Sequence, residues 1–323
     1  MDFGQETSMN YSENPAIPCA LEKCRAYDDN LEEKARALME AARIPMRPGM
    51  RVLVKPNLLT SKALACTNPD IVAAVCKLLL DGGCKVDVAD SPGFGRAKSV
   101  ARAIGLDEKL APLGLEVLPM NQPAPLRLDV PGAERQPVFM VSRRAIECDY
   151  LLSVPRIKAH SQMRITLAVK NLFGCVCGAR KAIIHAREGR EPAFFAACLA
   201  AMWAALPPSG AFVDGIVAMS VTGPSKGIPF NFGLLGACAS SQVMDRALLA
   251  ALDMEIGQSP LAAAIAKRND REEISAPVSW PLRRPEDFNP TGFVVPQKLA
   301  HTSFRPGRLI KSMGRRFWAA IKA

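Results

Sequence analysis

The chain predicts an α/β fold: a Rossmann-like parallel-sheet lobe followed by a second α/β lobe. Three observations carry this reading. Short runs such as RVLVK (51–55), KVDVA (85–89) and YLLSV (150–154) alternate with stretches whose apolar residues recur at helical spacing. Aromatic residues are only 6% of the chain while 49% is apolar, which suits helices packed on a sheet better than an aromatic-rich β sandwich. The length, 323 residues, holds one large or two ordinary domains.

In chain order, residues 1–23 read as a loose, polar lead-in. A helix is predicted over 30–42, with Leu31, Ala35, Leu38 and Ala42 on one face and Asn30 as N-cap; Pro45, Pro48 and Gly49 end it. The strand 51–55 stops at Pro56-Asn57. Thr67-Asn68-Pro69-Asp70 then opens a helix, with a cap, a proline in the first turn and an acid at the positive end of the dipole. Gly82-Gly83 closes it before the strand 85–89, and a β-α-β unit of this kind implies parallel strands and a right-handed crossover. Asp90-Ser91-Pro92-Gly93 forms a loop into a helix near 97–104. It lacks the full glycine fingerprint of a dinucleotide site. A proline-rich crossing (118–138, with a short strand at 126–130) precedes a strand at 138–142 and a short helix at 143–148. Further on, an Ala-rich helix runs from Glu191-Pro192 to Leu206, strands are predicted at 211–219 and 234–239, and a helix at 244–254. The core spans 24–276, as lobes of about 24–137 and 138–276; 277–323 reads as a proline-rich, then basic, tail.

The formal charge of +10 is concentrated at the end of that tail: from Lys298 onward, Lys298, Arg305, Arg308, Lys311, Arg315, Arg316 and Lys322 stand without one Asp or Glu. The basic balance therefore predicts no specific nucleic-acid partner for the body. It suits an anionic membrane surface, reached with Phe317 and Trp318, or an acidic protein; a solvated tail is the plain alternative. Ten cysteines lie scattered among apolar neighbours and read as reduced, buried thiols. The polar N-terminus is no secretory signal, and no apolar run reaches the ~20 residues that span a bilayer. Together these predict a soluble cytoplasmic protein.

The stretch 151–187 gathers the chemistry: LLSVPRIKAHSQMRITLAVKNLFGCVCGARKAIIHAR. It holds two of the three histidines, His160 and His185, as well as Lys158, Lys170 and the pair Cys175 and Cys177. The strand 150–154 is expected to end at Pro155, so these groups follow a strand end, where open α/β sheets bind ligands. Imidazoles that titrate near neutrality suit proton transfer or metal ligation by His160 and His185. Lys170, in an apolar context, suits an anion anchor. Lys55, Asn57, Asp90, Ser91, Lys158 and Asn171 form the expected binding set for a small anionic substrate or cofactor. The bland readings are solvated strand ends for the lysines, a helix cap for Asp90 and a bulge at Asp214-Gly215. Cys175 and Cys177 with the two histidines could hold a divalent metal, although C-x-C is no standard zinc spacing and a cubane cluster needs four thiolates.

Several motifs together resemble the domain-of-unknown-function family three-six-two, whose members are often labelled iron–sulfur-centre proteins. They are Val54-Lys55-Pro56-Asn57, Thr67, Asp90-Ser91-Pro92-Gly93, Lys158-Ala159-His160, Lys170-Asn171-Leu172-Phe173-Gly174, His185, Asp214-Gly215, Gly223-Pro224 and Asp245, over about 24–254. The chain has no ferredoxin-like cysteine run, and Gln242 stands where the family tends to carry a second aspartate, so no iron–sulfur cluster built by this chain alone is implied; a ferredoxin-like redox partner is. The spacing of His160, Lys170 and His185 is also similar to that of the nickel-pincer lactate racemases, which implies a two-lobed enzyme with a lysine and histidines at its site. The expectation is an enzyme, isomerase-like or oxidoreductase, that moves a proton or hydride on a small carboxylate. The alternatives are a redox or metal-handling accessory protein and a non-catalytic binding module.

Overall fold

A computed structural model describes residues 15–27 and 30–299. Its first half runs β1 (Ile17–Lys23), α1 (Leu31–Ala41), β2 (Arg51–Pro56), α2 (Pro69–Asp81), β3 (Lys85–Asp90), α3 (Ala97–Ala103), α4 (Leu106–Leu110), β4 (Val117–Pro119), β5 (Pro123–Arg127), β6 (Val138–Ser142) and α5 (Arg143–Glu147). The second half adds β7 (Tyr150–Val154), β8 (Arg156–His160), β9 (Arg164–Thr166), α6 (Ala168–Asn171), α7 (Arg180–Arg187), α8 (Pro192–Ala205), β10 (Ser209–Ser220), β11 (Ile228–Cys238), α9 (Ser241–Ala251), α10 (Pro260–Ala266) and β12 (Val278–Ser279).

Ten of these strands form one mixed sheet in the order β12-β1-β11-β10-β7-β2-β3-β4, with β8 and β9 branching from β10. The pairs β2–β3, β3–β4, β2–β7 and β7–β10 are parallel, whereas β1–β11 and β10–β11 are antiparallel. Because β7 sits beside β2, the sheet runs without interruption across the boundary expected near 137, and the two halves share one framework. Both faces are covered. Val52, Val54, Leu152 and Val154 pack under α1 and α2, while Leu53 and Leu151 face the apolar α8 and its Trp203. A strand buried on both sides reads as a continuous apolar run, which is why these elements were legible.

Several expectations need correction. The lead-in does not extend to residue 23: β1 lies inside the sheet between β12 and β11, with Cys19, Ala20 and Leu21 fully buried. Its small residues give a weak hydrophobic signal, and only the long-range pairing with β11 makes it a strand. The helix α10 was not foreseen. The strand expected at 126–130 is β5, three residues earlier, paired with β6 in a separate ribbon. Asn30 sits at the N-cap of α1 without a side-chain cap bond, whereas Asn68 does cap α2 by accepting from the Asp70 amide at 2.7 Å. Part of the expected tail belongs to the body: β12 pairs with β1, and Phe288 is buried beside β11. The basic residues from Arg305 onward, with Phe317 and Trp318, lie outside the described residues.

Pro155 does not end the strand region. It removes one donor from the ladder, and the chain resumes at once as β8, still parallel to β10. The Asp214 amide donates to the Pro155 carbonyl at 2.9 Å and carries β10 across the break.

A buried polar layer at the strand ends

The C-terminal ends of β2, β3 and β7 and the whole of β8 converge on one buried polar layer, the usual ligand edge of an open parallel sheet. Lys55 leaves the end of β2 and Asp90 the end of β3; their charged atoms meet at 2.8 Å with both side chains almost fully buried. The Lys55 ammonium also donates to the Pro56 carbonyl (2.9 Å) and to Asn171 Oδ1 (3.2 Å). A lysine has three N–H donors, so Lys55 is saturated. Asp90 accepts from the Leu58 amide and the Ser91 amide, each at 2.7 Å. Asn171 joins β2 to β7, donating to the Lys55 carbonyl (3.0 Å) and Ser153 Oγ (3.1 Å) and accepting from Asn57 Nδ2 (2.8 Å). Ser91 Oγ accepts from the Gly178 amide at 3.1 Å. Gly174 leaves the pair its room: a Cβ there would stand 2.3 Å from Asp90 Oδ1 and 2.4 Å from Lys55 Nζ.

Four of the six residues expected to bind a ligand, Lys55, Asp90, Asn171 and Asn57, are therefore committed to one another. They brace the loop ends of three strands, and Lys55 has no N–H left to offer a ligand.

Within β8, successive side chains alternate between faces. Ile157 enters the apolar core, while Arg156, Lys158 and His160 share the opposite, polar face. Arg156 has a full set of partners. It pairs with Asp214 at 2.9 Å and donates to the Cys66 and Val217 carbonyls, each at 2.6 Å. Asp214 in turn accepts from the Tyr27 hydroxyl (2.7 Å) and the Asn68 amide (3.0 Å). Burial still raises its pKa, against the lowering effect of Arg156. This salt bridge, rather than the bulge alone, explains Asp214; a bulge does follow it in β10 between Gly215 and Val217.

Lys158 and Lys170 differ from these pairs. Lys158 donates to the side-chain oxygen of Asn57 and to the Ala65 carbonyl at 2.9 Å, both neutral groups. Burial, with help from the Lys170 and Arg156 charges, brings its pKa down to about 7. Lys170 is 8% exposed, and its ammonium lies 5.7 Å from the centre of the Phe173 ring; among the described residues no hydrogen-bond acceptor or carboxylate meets it. Burial first, then Lys181 and Lys55, lower its pKa to about 8. The short helix α6 that carries it is held from below by Asp245, which accepts from the Ala168 amide (2.7 Å) and the Val169 amide (3.2 Å). Burial raises the pKa of Asp245 to about 8.

His160 closes the layer. Its Nδ1 accepts from the Gln162 and Met163 amides at 3.1 and 3.2 Å, which puts the proton of the neutral ring on Nε2. Burial, then the charges of Lys170, His185 and Lys158, push its pKa well below the usual range. His185 lies against Phe173 and Phe195, with ring centroids 5.1 and 4.8 Å away, and its pKa falls to about 3 through burial and the Lys170 and Lys181 charges. His160, Lys170 and His185 thus act on one another electrostatically, and Phe173 touches both Lys170 and His185.

The thiols do not join them. Cys175 packs in the apolar core, where burial raises its pKa to about 12, and Cys177 Sγ leans on the Asn121 carbonyl at 3.8 Å. Among the described residues no three His, Cys, Asp or Glu side chains form a group able to hold a metal ion. The expected ligand set of His160, His185, Cys175 and Cys177 is therefore not assembled, and the Nδ1 lone pair of His160 is already occupied by two amides. Arg156 and Thr166 were missed as members of the layer. Thr166 stands opposite Lys158 in the β8–β9 ladder, and its buried hydroxyl has no hydrogen-bond partner among the described residues. The alternation of Arg156, Lys158 and His160 in the sequence would have exposed this face had Pro155 not been read as a stop.

The family described as a domain of unknown function, DUF362, matches residues 52–250. A thylakoid-associated protein of Synechocystis sp. is 31% identical over 276 residues, 84% of each chain. Among solved structures, the lactate racemase apoprotein of Thermoanaerobacterium thermosaccharolyticum is similar at 10% identity and a TM-score of 0.45, over 70% of this chain and 55% of that one. A Thermotoga maritima protein is similar at 10% identity and a TM-score of 0.39, over 62% and 53%. The chain spans about half the length of these two structures. No helix of the described residues is long and apolar enough to cross a membrane.

Proposed function

The chain belongs to the DUF362 family of unknown function, and from that premise we propose that it is an enzyme that binds a small carboxylate at the Lys158–Lys170–His160 side of the layer and transfers a proton there. The observation that carries this reading is Lys170, a lysine only 8% exposed whose ammonium meets no acceptor or carboxylate among the described residues. A buried charge without a counter-charge is costly, so a site that keeps one is built for a ligand that supplies it. The carboxylate is the missing partner.

Proton transfer is the half of the original expectation that these residues can perform by themselves. The amine of Lys170, with a pKa of about 8, is available in both protonation states near neutrality, as a general base must be. Its neutral form takes the proton next to the carboxylate; the C–H bond breaks and the electron pair moves onto the carboxyl oxygens. His160, with its proton on Nε2, donates to the oxygen where charge collects, as a preorganised oxyanion site does. Return of the proton from Lys170 on the same face restores the carbon and exchanges its hydrogen with solvent. His185 stays neutral against its aromatic neighbours, beside the Phe173 ring that Lys170 also faces.

The reading is tested by incubating the protein in D2O with a panel of small 2-hydroxy and dicarboxylic acids and following the α-proton by NMR. Exchange is expected with at least one acid, and Lys170→Met should slow it ~10²–10⁴-fold, the usual contribution of a general base. Exchange with none of them, or exchange untouched by Lys170→Met, overturns the reading.

A further inference from the structure

The charge balance of the layer says more about the ligand than that it is an anion. Four cationic side chains are almost fully buried there: Lys55, Arg156, Lys158 and Lys170. Two buried carboxylates, Asp90 and Asp214, pair with the first two. A third, Asp245, serves the Ala168 and Val169 amides and faces no ammonium. Among the described residues, two ammonium groups, Lys158 and Lys170, are left without a paired carboxylate. One negative charge would still leave an unpaired cation in a region where that is most expensive.

Resting on the anion reading above, we propose that the natural ligand is a dianion, with one negative charge met by Lys170 and His160 and the other by Lys158 and Thr166. An independent observation marks the second position. Thr166 is 4% exposed, lies directly across the ladder from Lys158 on the same face, and its hydroxyl has no partner among the described residues. A buried hydroxyl without a partner is rare in native proteins and calls for a ligand group. Lys158 and His160 are two residues apart on one strand, roughly 7 Å, a span that separates two acceptor heads or flanks one larger head. Two carboxylates, or one doubly charged tetrahedral group, share the required chemistry.

Binding also carries protons. Burial holds the Lys158 amine down to about 7, and a second negative charge beside it favours its protonated form, while Lys170 keeps the neutral fraction that proton abstraction needs. Calorimetry near neutral pH, in two buffers of different ionisation heat, separates the outcomes with succinate and sulfate as dianions and acetate and lactate as monoanions. Dianions are expected to bind at least about tenfold tighter, the value of one charge-assisted hydrogen bond, with net proton uptake. Succinate against sulfate tells two heads from one. Lys158→Met should bring the dianion and monoanion affinities together; Thr166→Val, which keeps every charge, should weaken dianions several-fold and guards against a folding defect in the lysine variant. Equal binding of monoanions by the wild type, or a preference that survives Lys158→Met, overturns the dianion while leaving the anion reading intact. Binding of no anion overturns both.

Discussion

The buried polar layer has two halves made of the same residue types and put to opposite uses. In the first, Lys55–Asp90 and Arg156–Asp214 are closed pairs: Asn171 and two backbone carbonyls accept from the cations, and the Leu58 amide and the Tyr27 hydroxyl donate to the carboxylates. In the second, Lys158 and Lys170 have neutral partners or none, beside a histidine held neutral and a hydroxyl left over. The contrast teaches that a buried lysine is not itself a functional signal; its unmet valence is. The paired half holds the strand ends in register, and the unpaired half is what such a frame can present to a ligand.

The largest test of this contrast is Asp214→Ala. It strands Arg156 in the interior, and urea unfolding should show a loss of about 3–5 kcal/mol, the cost of breaking a buried pair from one side. A loss below about 1 kcal/mol would mean that the paired half is not a structural frame. Next comes Gly174→Ala, whose new methyl would collide with both members of the Lys55–Asp90 pair. About 1–3 kcal/mol of destabilisation is expected. A variant as stable as wild type would show that the pair can move aside, and that Gly174 serves some other purpose.

Lys158→Met should have the opposite sign. It removes a charge that burial penalises, so stability at neutral pH should hold or rise by ~1 kcal/mol. Its pH signature is sharper. The folded-state pKa of about 7 lies below the usual lysine value of 10.5, so from about pH 7 upward the unfolded chain binds the proton better than the folded one does. Stability from this group therefore rises with pH above about 7, and below that its penalty is fully present. Urea midpoints at about pH 7 and about pH 8.5 should show wild type gaining on Lys158→Met; comparing the two proteins cancels the cysteines and tyrosines common to both. Midpoints that move in parallel would place Lys158 with the ordinary solvated lysines and erase the distinction between the two halves.

Much of the framework was legible. β2, β3 and β7 were visible as apolar runs and α2 by its Asn68-Pro69-Asp70 start, because local propensity and burial agree there. β1 was not, since Cys19 and Ala20 carry little hydrophobic signal and only pairing with Cys238 and Ala237 defines them. In the site, His160, Lys158 and Lys170 stood out by composition, and they do fall in one layer. Lys55 and Asp90 stood out as strongly, yet they satisfy each other across adjacent strands. Cys175 and Cys177 stood out by spacing, and the fold turns them into the core and toward a carbonyl.

Residue order alone determined most of the central strands and helices, though not β1, β8 or α10, and which stretch would hold the titratable groups, because hydrophobic period and turn chemistry act over a few neighbours. Which lysine finds a carboxylate and which is left waiting was decided only when β2, β3, β8 and β10 came together. Ion pairing and desolvation depend on distances in space, and positions some thirty or sixty apart in the chain, such as Lys55 with Asp90 or Arg156 with Asp214, become neighbours only through the sheet.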